Sequence, residues 1–282
     1  MASFTRLATF AALLASSASI VGAVAASGSG TTTRYWDCCK PSCAWTQPGL
    51  TSTVKTCDIN DKPLANGVTA QSGCQNGGTS FMCSDQSPWA INDNLAYGFA
   101  AVTASNPTCC QCYKLTFTSD GPIKGKTMIV QATNTGNDVS GTQFDLAMPG
   151  GGFGQFDGCS KEWKATSDIW GAQYGGSNTN QCSKFPAALQ KGCGFRWDWM
   201  KGQSNPNVNY ETVACPAEIV AKSGCSVTGY SAPQQQPVTI KPTTTTAPKT
   251  TTTPKANAPT TTTTATPPKK SCYRVNGRWR CR

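Results

Sequence analysis

Sixteen cysteines in a chain of 282 residues without a single histidine constrain the fold more than any other feature of this sequence. Cysteines at this density in an exported chain act in pairs. The expectation is eight disulfides and a framework stiffened by covalent staples rather than by an apolar core alone. The N-terminus supports export. Residues 1–26 read as a signal: Arg6 is their only charge, an apolar run covers roughly Ala8 to Val24, and Ala23-Val24-Ala25 offers small residues for cleavage. The run is too short and too alanine-rich to favour a membrane span. The expected product is a secreted, extracellular monomer with no membrane partner.

The missing histidine also removes chemistry. A Ser-His-Asp triad, a Cys-His pair and a histidine-based metal site are all excluded. Proton transfer then falls to carboxylates or water, and neither a metal nor an organic cofactor is expected. The formal charge of +10 is unevenly placed: residues 27–230 hold 14 basic and 14 acidic side chains, while residues 231–282 hold nine basic and no acidic ones. The larger part is neutral, so charge gives no reason to expect a nucleic-acid partner.

Residues 27–230 form one domain by composition, rich in Cys, Gly and aromatics. Residues 231–270 hold 15 threonines and 8 prolines and no aromatic residue. Such a stretch buries too little apolar surface to fold and reads as an extended linker, O-glycosylated. Residues 271–282 differ again. Asn276-Gly277 favours a two-residue hairpin that sets Cys272 opposite Cys281, so a basic, disulfide-closed hairpin is expected there.

Strand signals dominate the domain. Tyr113–Thr118 alternates apolar and polar residues, and Thr127–Ala132 reads as a buried strand. A helix is expected from Ser87-Pro88, with Ile91, Leu95 and Phe99 on one face, and a second over Pro216–Lys222, closed by Gly224. The sum is a mostly β chain: a compact barrel with long loops and a few short helices.

The carboxylates that stand in stiff, aromatic surroundings are Asp37, in Arg34-Tyr-Trp-Asp-Cys-Cys-Lys40, then Asp138 and Asp145, and Asp157 in the Gly-rich run Pro149–Cys159. Asp157 reads as a structural residue bonding local backbone, and the glycine spacing fits no phosphate-binding loop. Tyr35, Trp45 and Tyr174 lie in polar or Gly-rich surroundings, where flat rings can stack on sugar. Trp36, Trp197 and Trp199 read as core. Paired carboxylates, aromatic platforms and a disulfide framework together suit glycoside hydrolysis, in which one carboxylic acid protonates the leaving oxygen and a second carboxylate activates water or attacks the sugar.

Thr33-Arg-Tyr-Trp-Asp-Cys-Cys-Lys-Pro-Ser-Cys43 resembles the signature of family 45 glycoside hydrolases, small secreted endoglucanases. The resemblance runs through Ser84–Asp93, Cys109–Tyr113, Phe144-Asp145, Pro149–Gly152 and Phe156–Cys159 to Cys215–Cys225. It implies a six-stranded double-psi β-barrel with long disulfide-tied loops, and inverting hydrolysis of β-1,4-glucan. It implies Asp37 as general base, Asp145 as general acid, Asp138 assisting from a loop, and Tyr35, Trp45, Tyr174, Thr33, Arg34 and Lys40 as substrate-binding. It implies disulfides Cys38–Cys159, Cys39–Cys74, Cys43–Cys109, Cys57–Cys83, Cys110–Cys225, Cys112–Cys215 and Cys182–Cys193. Gln143 stands where some members carry histidine. For inversion the two carboxyls should stand roughly 6.5–9.5 Å apart, with the acid's pKa raised. The competing reading is an expansin-like protein that loosens wall polysaccharide without hydrolysis, and the full motif around Asp37 argues against it.

Overall fold

The structure, a computed structural model, describes residues 26–103, 109–136, 139 and 141–227, and the backbone of residues 272–275 and 278–281. The expected signal peptide and linker lie outside the described residues.

Six strands close on themselves. They are β1 (Ser27–Tyr35), β2 (Leu95–Thr103), β3 (Cys112–Phe117), β4 (Thr127–Gly136), β5 (Gln143–Ala147) and β6 (Asn207–Val213). Their order is β2-β4-β3-β6-β1-β5, and β5 returns to β2 to complete the barrel. Two neighbours run parallel, β1 with β5 and β2 with β4; the other pairs are antiparallel. Closure leaves no open edge among these strands. Inside, Leu115, Phe117, Met128, Val130, Phe144, Leu146 and Val208 share one buried cluster. From α2 (Ala187–Asp198) and the turn beyond it, Phe195, Trp199 and Met200 join the same cluster.

A second buried cluster covers the outside of β2 with Trp36, Phe99, Trp170, Phe185, Leu189 and Ile219. Thus β2 is apolar on both faces, which accounts for the one local element that departs from expectation. Residues 87–99 are not a helix. They form a short strand, Trp89–Ala90, paired antiparallel with Ala96 and Tyr97 at the start of β2. Asn92 makes the turn: its Oδ1 accepts from the backbone N–H of Asn94 and of Leu95. Ile91, Leu95 and Phe99 fit a helical face equally well, but a strand buried on both sides also reads as a nearly continuous apolar run.

The other local expectations hold. Strands β3 and β4 contain the two segments read as strands. The short helix α3 (Ala217–Ser223) ends at Gly224, whose φ of +68° belongs to the left-handed region glycine favours. A five-residue helix, α1 (Cys159–Trp163), completes the three α-helices of the described residues, beside four single-turn 3-10 helices. Seven disulfides join the pairs the family resemblance implied. Strands Cys272–Val275 and Arg278–Cys281 pair antiparallel with Cys272 opposite Cys281. The expected bond between those cysteines and the Asn276-Gly277 turn lie outside what is described.

Candidate active site

The base of the site is the segment from Thr33 to Lys40, which leaves β1 and is pinned at every step. The N–H of Met148 donates to the Tyr35 carbonyl, that of Trp36 to the Gly152 carbonyl, and that of Gly158 to the Asp37 carbonyl. Cys38 is fully buried, tied to Cys159, and held at φ +60°. A non-glycine residue there costs on the order of 1 kcal/mol and persists only where surroundings enforce it. Cys39 is tied to Cys74, and its N–H donates to Asp37 Oδ1 at 3.0 Å. Asp37 therefore projects from a backbone clamped in two directions.

Asp145 sits in β5 at the seam where the barrel closes, opposite Thr33 of β1 on one side and Ala101 of β2 on the other. The Thr33 hydroxyl donates to Asp145 Oδ1 at 2.6 Å and accepts from Gln143 Nε2 at 2.8 Å. Gln143, two residues before Asp145 on the same strand face, thus supports Thr33, and Thr33 orients the carboxylate.

Asp37 and Asp145 line one cleft of about 530 Å³. Tyr35, Lys40 and Trp45 line it too, with Asn134 and Thr135 from β4 and Phe153, Gln155 and Phe156 from the Gly-rich loop. Lys40 is 5% exposed. Its ammonium lies 3.1 Å from the Trp45 ring centroid and donates to the carbonyls of Val68 and Ala70 at 2.9 Å each. Burial lowers its pKa to about 8. Burial, together with the charges of Asp37 and Asp145, holds the Tyr35 phenol well above its ordinary value, against the Asn134 hydrogen bond that lowers it.

Several residues singled out from sequence stand elsewhere. Arg34 is turned away from the cleft: its guanidinium donates to Ser204 Oγ, Asn205 Oδ1 and the Gly175 carbonyl at 2.6–2.8 Å. Tyr174, beside that anchored carbonyl, is 67% exposed and is not part of the cleft lining. Thr33 meets Asp145 rather than the open cleft. Asp138 lies outside the described residues. Asp157 bonds the N–H and hydroxyl of Ser160 and so holds the first turn of α1. Trp36 and Trp199 are buried in the two core clusters, and Trp197 is packed against the second.

Sequence reasoning passed over Asn134 and Phe156. Nothing local marks Asn134, because a slip in strand pairing decides where it points. Phe156 had a signal: a large apolar side chain in a Gly-rich loop, here 53% exposed at the cleft.

Among known proteins, the chain is 51% identical over 207 residues to a type K endoglucanase of Fusarium oxysporum, a match that spans 71% of this chain and 54% of that one. It is 48% identical over 205 residues to an endoglucanase of Cryptopygus antarcticus, spanning 71% of this chain and 89% of the other. This chain thus spans about half the length of the fungal relative and most of the springtail one. The crystal structure of the cellulase from the Antarctic springtail superposes with a TM-score of 0.67 at 46% identity, covering 72% of this chain and 99% of that one. The profile of glycosyl hydrolase family 45 matches residues 29–226, all but the first two residues of the barrel together with its tied loops, and the chain belongs to that family.

Proposed function

We propose that this family 45 endoglucanase cleaves internal β-1,4-glucosidic bonds of cellulose and related β-glucans with inversion, using Asp37 as general base and Asp145 as general acid. One observation carries the reading: two carboxylates on separately braced backbones open into the same cleft, alongside a tryptophan ring held flat by a cation. An inverting mechanism asks for this division. One group protonates the leaving oxygen while the other draws a proton from the attacking water on the opposite face of the sugar.

The backbone clamp on Asp37 is suited to holding a base, because aligning a water within a few tenths of an ångström needs a rigid frame. The Thr33 hydroxyl, donating to Asp145 Oδ1, fixes the plane of the carboxyl group that is to give the proton. Asp138, seven residues before Asp145, is assigned an assisting role on the family resemblance alone. Trp45 and Tyr35 supply the flat and polar surfaces that orient a glucan chain. Tyr174 extends that surface beyond the cleft.

Seven disulfides among the described residues suit an extracellular enzyme, with residues 1–26 as its signal and 27–230 as its catalytic domain. Residues 231–270 act as a tether. Residues 271–282 serve either as an adsorption element whose arginines meet acidic wall polymers or as a proteolysis-resistant stub. In the first case deleting 271–282 is expected to weaken binding to pectin at low salt, and unchanged binding refutes the adsorption role.

The test of the main reading is release of reducing ends from carboxymethyl-cellulose, with viscosity followed in parallel, for the wild type and Asp37→Asn. A fast fall in viscosity with new reducing ends, lost in the variant, is expected. Proton NMR of a cello-oligosaccharide should show the α-anomer first. Wild-type protein with intact disulfides that yields no reducing ends would favour non-hydrolytic wall loosening instead.

A further inference from the structure

The hydrogen bonds around Tyr35 have a fixed direction, and it originates in a fault in strand pairing. Along β4 the register against β2 slips by one: Ala100 faces Ala132, but Ala101 faces Asn134, and Thr133 is left over. Such a bulge re-aims the side chains that follow it. Asn134 comes to line the cleft beside Tyr35.

The Asn134 amide has only one permitted orientation. The backbone N–H of Ser42 donates to Asn134 Oδ1 at 2.9 Å, and a backbone N–H cannot accept. Nδ2 therefore faces the Tyr35 oxygen, at 3.2 Å, and it can only donate. Ser42 is fixed in turn, because its hydroxyl accepts from the N–H of Thr135 at 2.8 Å and lies 2.9 Å from the Thr135 hydroxyl. The Tyr35 oxygen is thus an acceptor toward β4. Its single hydrogen has to point elsewhere.

We propose that Asn134 is a positioning residue that makes the Tyr35 hydroxyl a directed hydrogen-bond donor to a glucan oxygen bound in the cleft of Asp37 and Asp145. The proposal rests on the glucanase reading above. The phenol stays protonated at any pH at which the enzyme works, because burial and the two aspartates disfavour phenolate. A donor of fixed direction selects an acceptor oxygen on the sugar at a fixed place, which aligns the ring relative to both carboxylates.

The polarity can be inverted almost without change of shape. In Asn134→Asp one carboxylate oxygen still accepts from Ser42, and the other now accepts from the Tyr35 hydroxyl, turning its hydrogen into the wall. A double-mutant cycle with Tyr35→Phe separates this from the added charge, since the charge is present in both backgrounds. Asn134→Asp should lower kcat/KM on cellopentaose about thirtyfold when Tyr35 is present and no more than about threefold in the Tyr35→Phe background. Asn134→Ala leaves the phenol free to donate and should cost about threefold or less. Equal losses from Asn134→Asp in both backgrounds, or an Asn134→Ala loss as large as that of Asn134→Asp, would overturn the proposal.

If Asn134→Asp does not fold, the same cycle with Asn134→Leu serves. Like Asn134→Ala it removes the amide, so it should cost about threefold with Tyr35 present and clearly less without it, and equal losses again overturn the assignment. Asp37→Asn runs alongside. Full activity in that variant refutes the catalytic reading itself. An inactive Asp37→Asn with an additive cycle refutes only the role of Asn134.

Discussion

Glu162 is a buried acid with no catalytic task, and its ionisation should set the alkaline limit of the fold. It is 4% exposed, and neither carboxylate oxygen has a hydrogen-bond partner among the described residues. Burial foremost, then the charges of Asp61 and Asp58, push its pKa from 4.5 to about 9, despite an opposing contact with the Trp163 indole. The sign follows from which state holds the proton. The folded chain keeps the proton that the unfolded chain releases near pH 4.5, so stability is greatest below that pH and declines as pH rises toward 9.

Each pH unit in that window costs up to about 1.4 kcal/mol, so moving from pH 5 to pH 8 removes at most about 4 kcal/mol. Glu162→Gln keeps the volume and removes the titration. In a domain of this size 1 kcal/mol shifts Tm by about 2–4 °C, so the wild type should lose roughly 10 °C more than the variant between pH 5 and pH 8. Guanidinium unfolding of both proteins at the two pH values, disulfides intact, measures the difference directly. Parallel pH profiles for wild type and variant would refute the argument. The consequence reaches the site, because the N–H of Glu162 bonds the Gly158 carbonyl and the N–H of Gly158 bonds that of Asp37.

Three further outcomes are expected. Lys40→Met should raise KM for long oligosaccharides about threefold to tenfold with little change in kcat, because it frees the Trp45 ring and the Val68–Ala70 turn. With Lys40 titrating near 8, the wild type should show the same rise in KM above that pH. Thr33→Val should lower kcat about tenfold on carboxymethyl-cellulose while leaving Tm within a few degrees, through loss of the Asp145 hydrogen bond. Gly151→Ala should abolish recovery of folded protein, since a Cβ there would lie 2.7 Å from the Tyr35 nitrogen and 2.9 Å from the Met148 carbonyl oxygen; the yield of protease-resistant domain measures it.

Much of the frame could be read along the chain because its marks are covalent or local. The seven disulfides follow cysteines whose spacing matched a family, and Gly224 and the β3 and β4 patterns carry short-range signals. What could not be read depends on partners distant in sequence. The apolar side chains of residues 91–99 suit a helix until β4 and the second core cluster claim both faces of β2. Arg34 sits in the signature beside Tyr35, yet residues 175 and 204–205 determine its direction. Asn134 reaches the cleft only because one residue of β4 is left unpaired, and Glu162 is an ordinary surface type until the fold closes over it.

The order of strands around the barrel has a consequence for how the chain is made. The last strand, β6, fills the place between β1 and β3, and three disulfides join cysteines more than 100 residues apart. A nascent chain emerging from its N-terminus cannot seal the barrel until residue 213 has left the exit channel. Before then β1 lacks one neighbour, and Cys110 and Cys112 wait for Cys225 and Cys215, which are still unsynthesised. Sealing of the barrel therefore comes last, after the short-range bonds Cys57–Cys83 and Cys39–Cys74 have had time to form, and any early wrong pairing has to be undone by thiol–disulfide exchange.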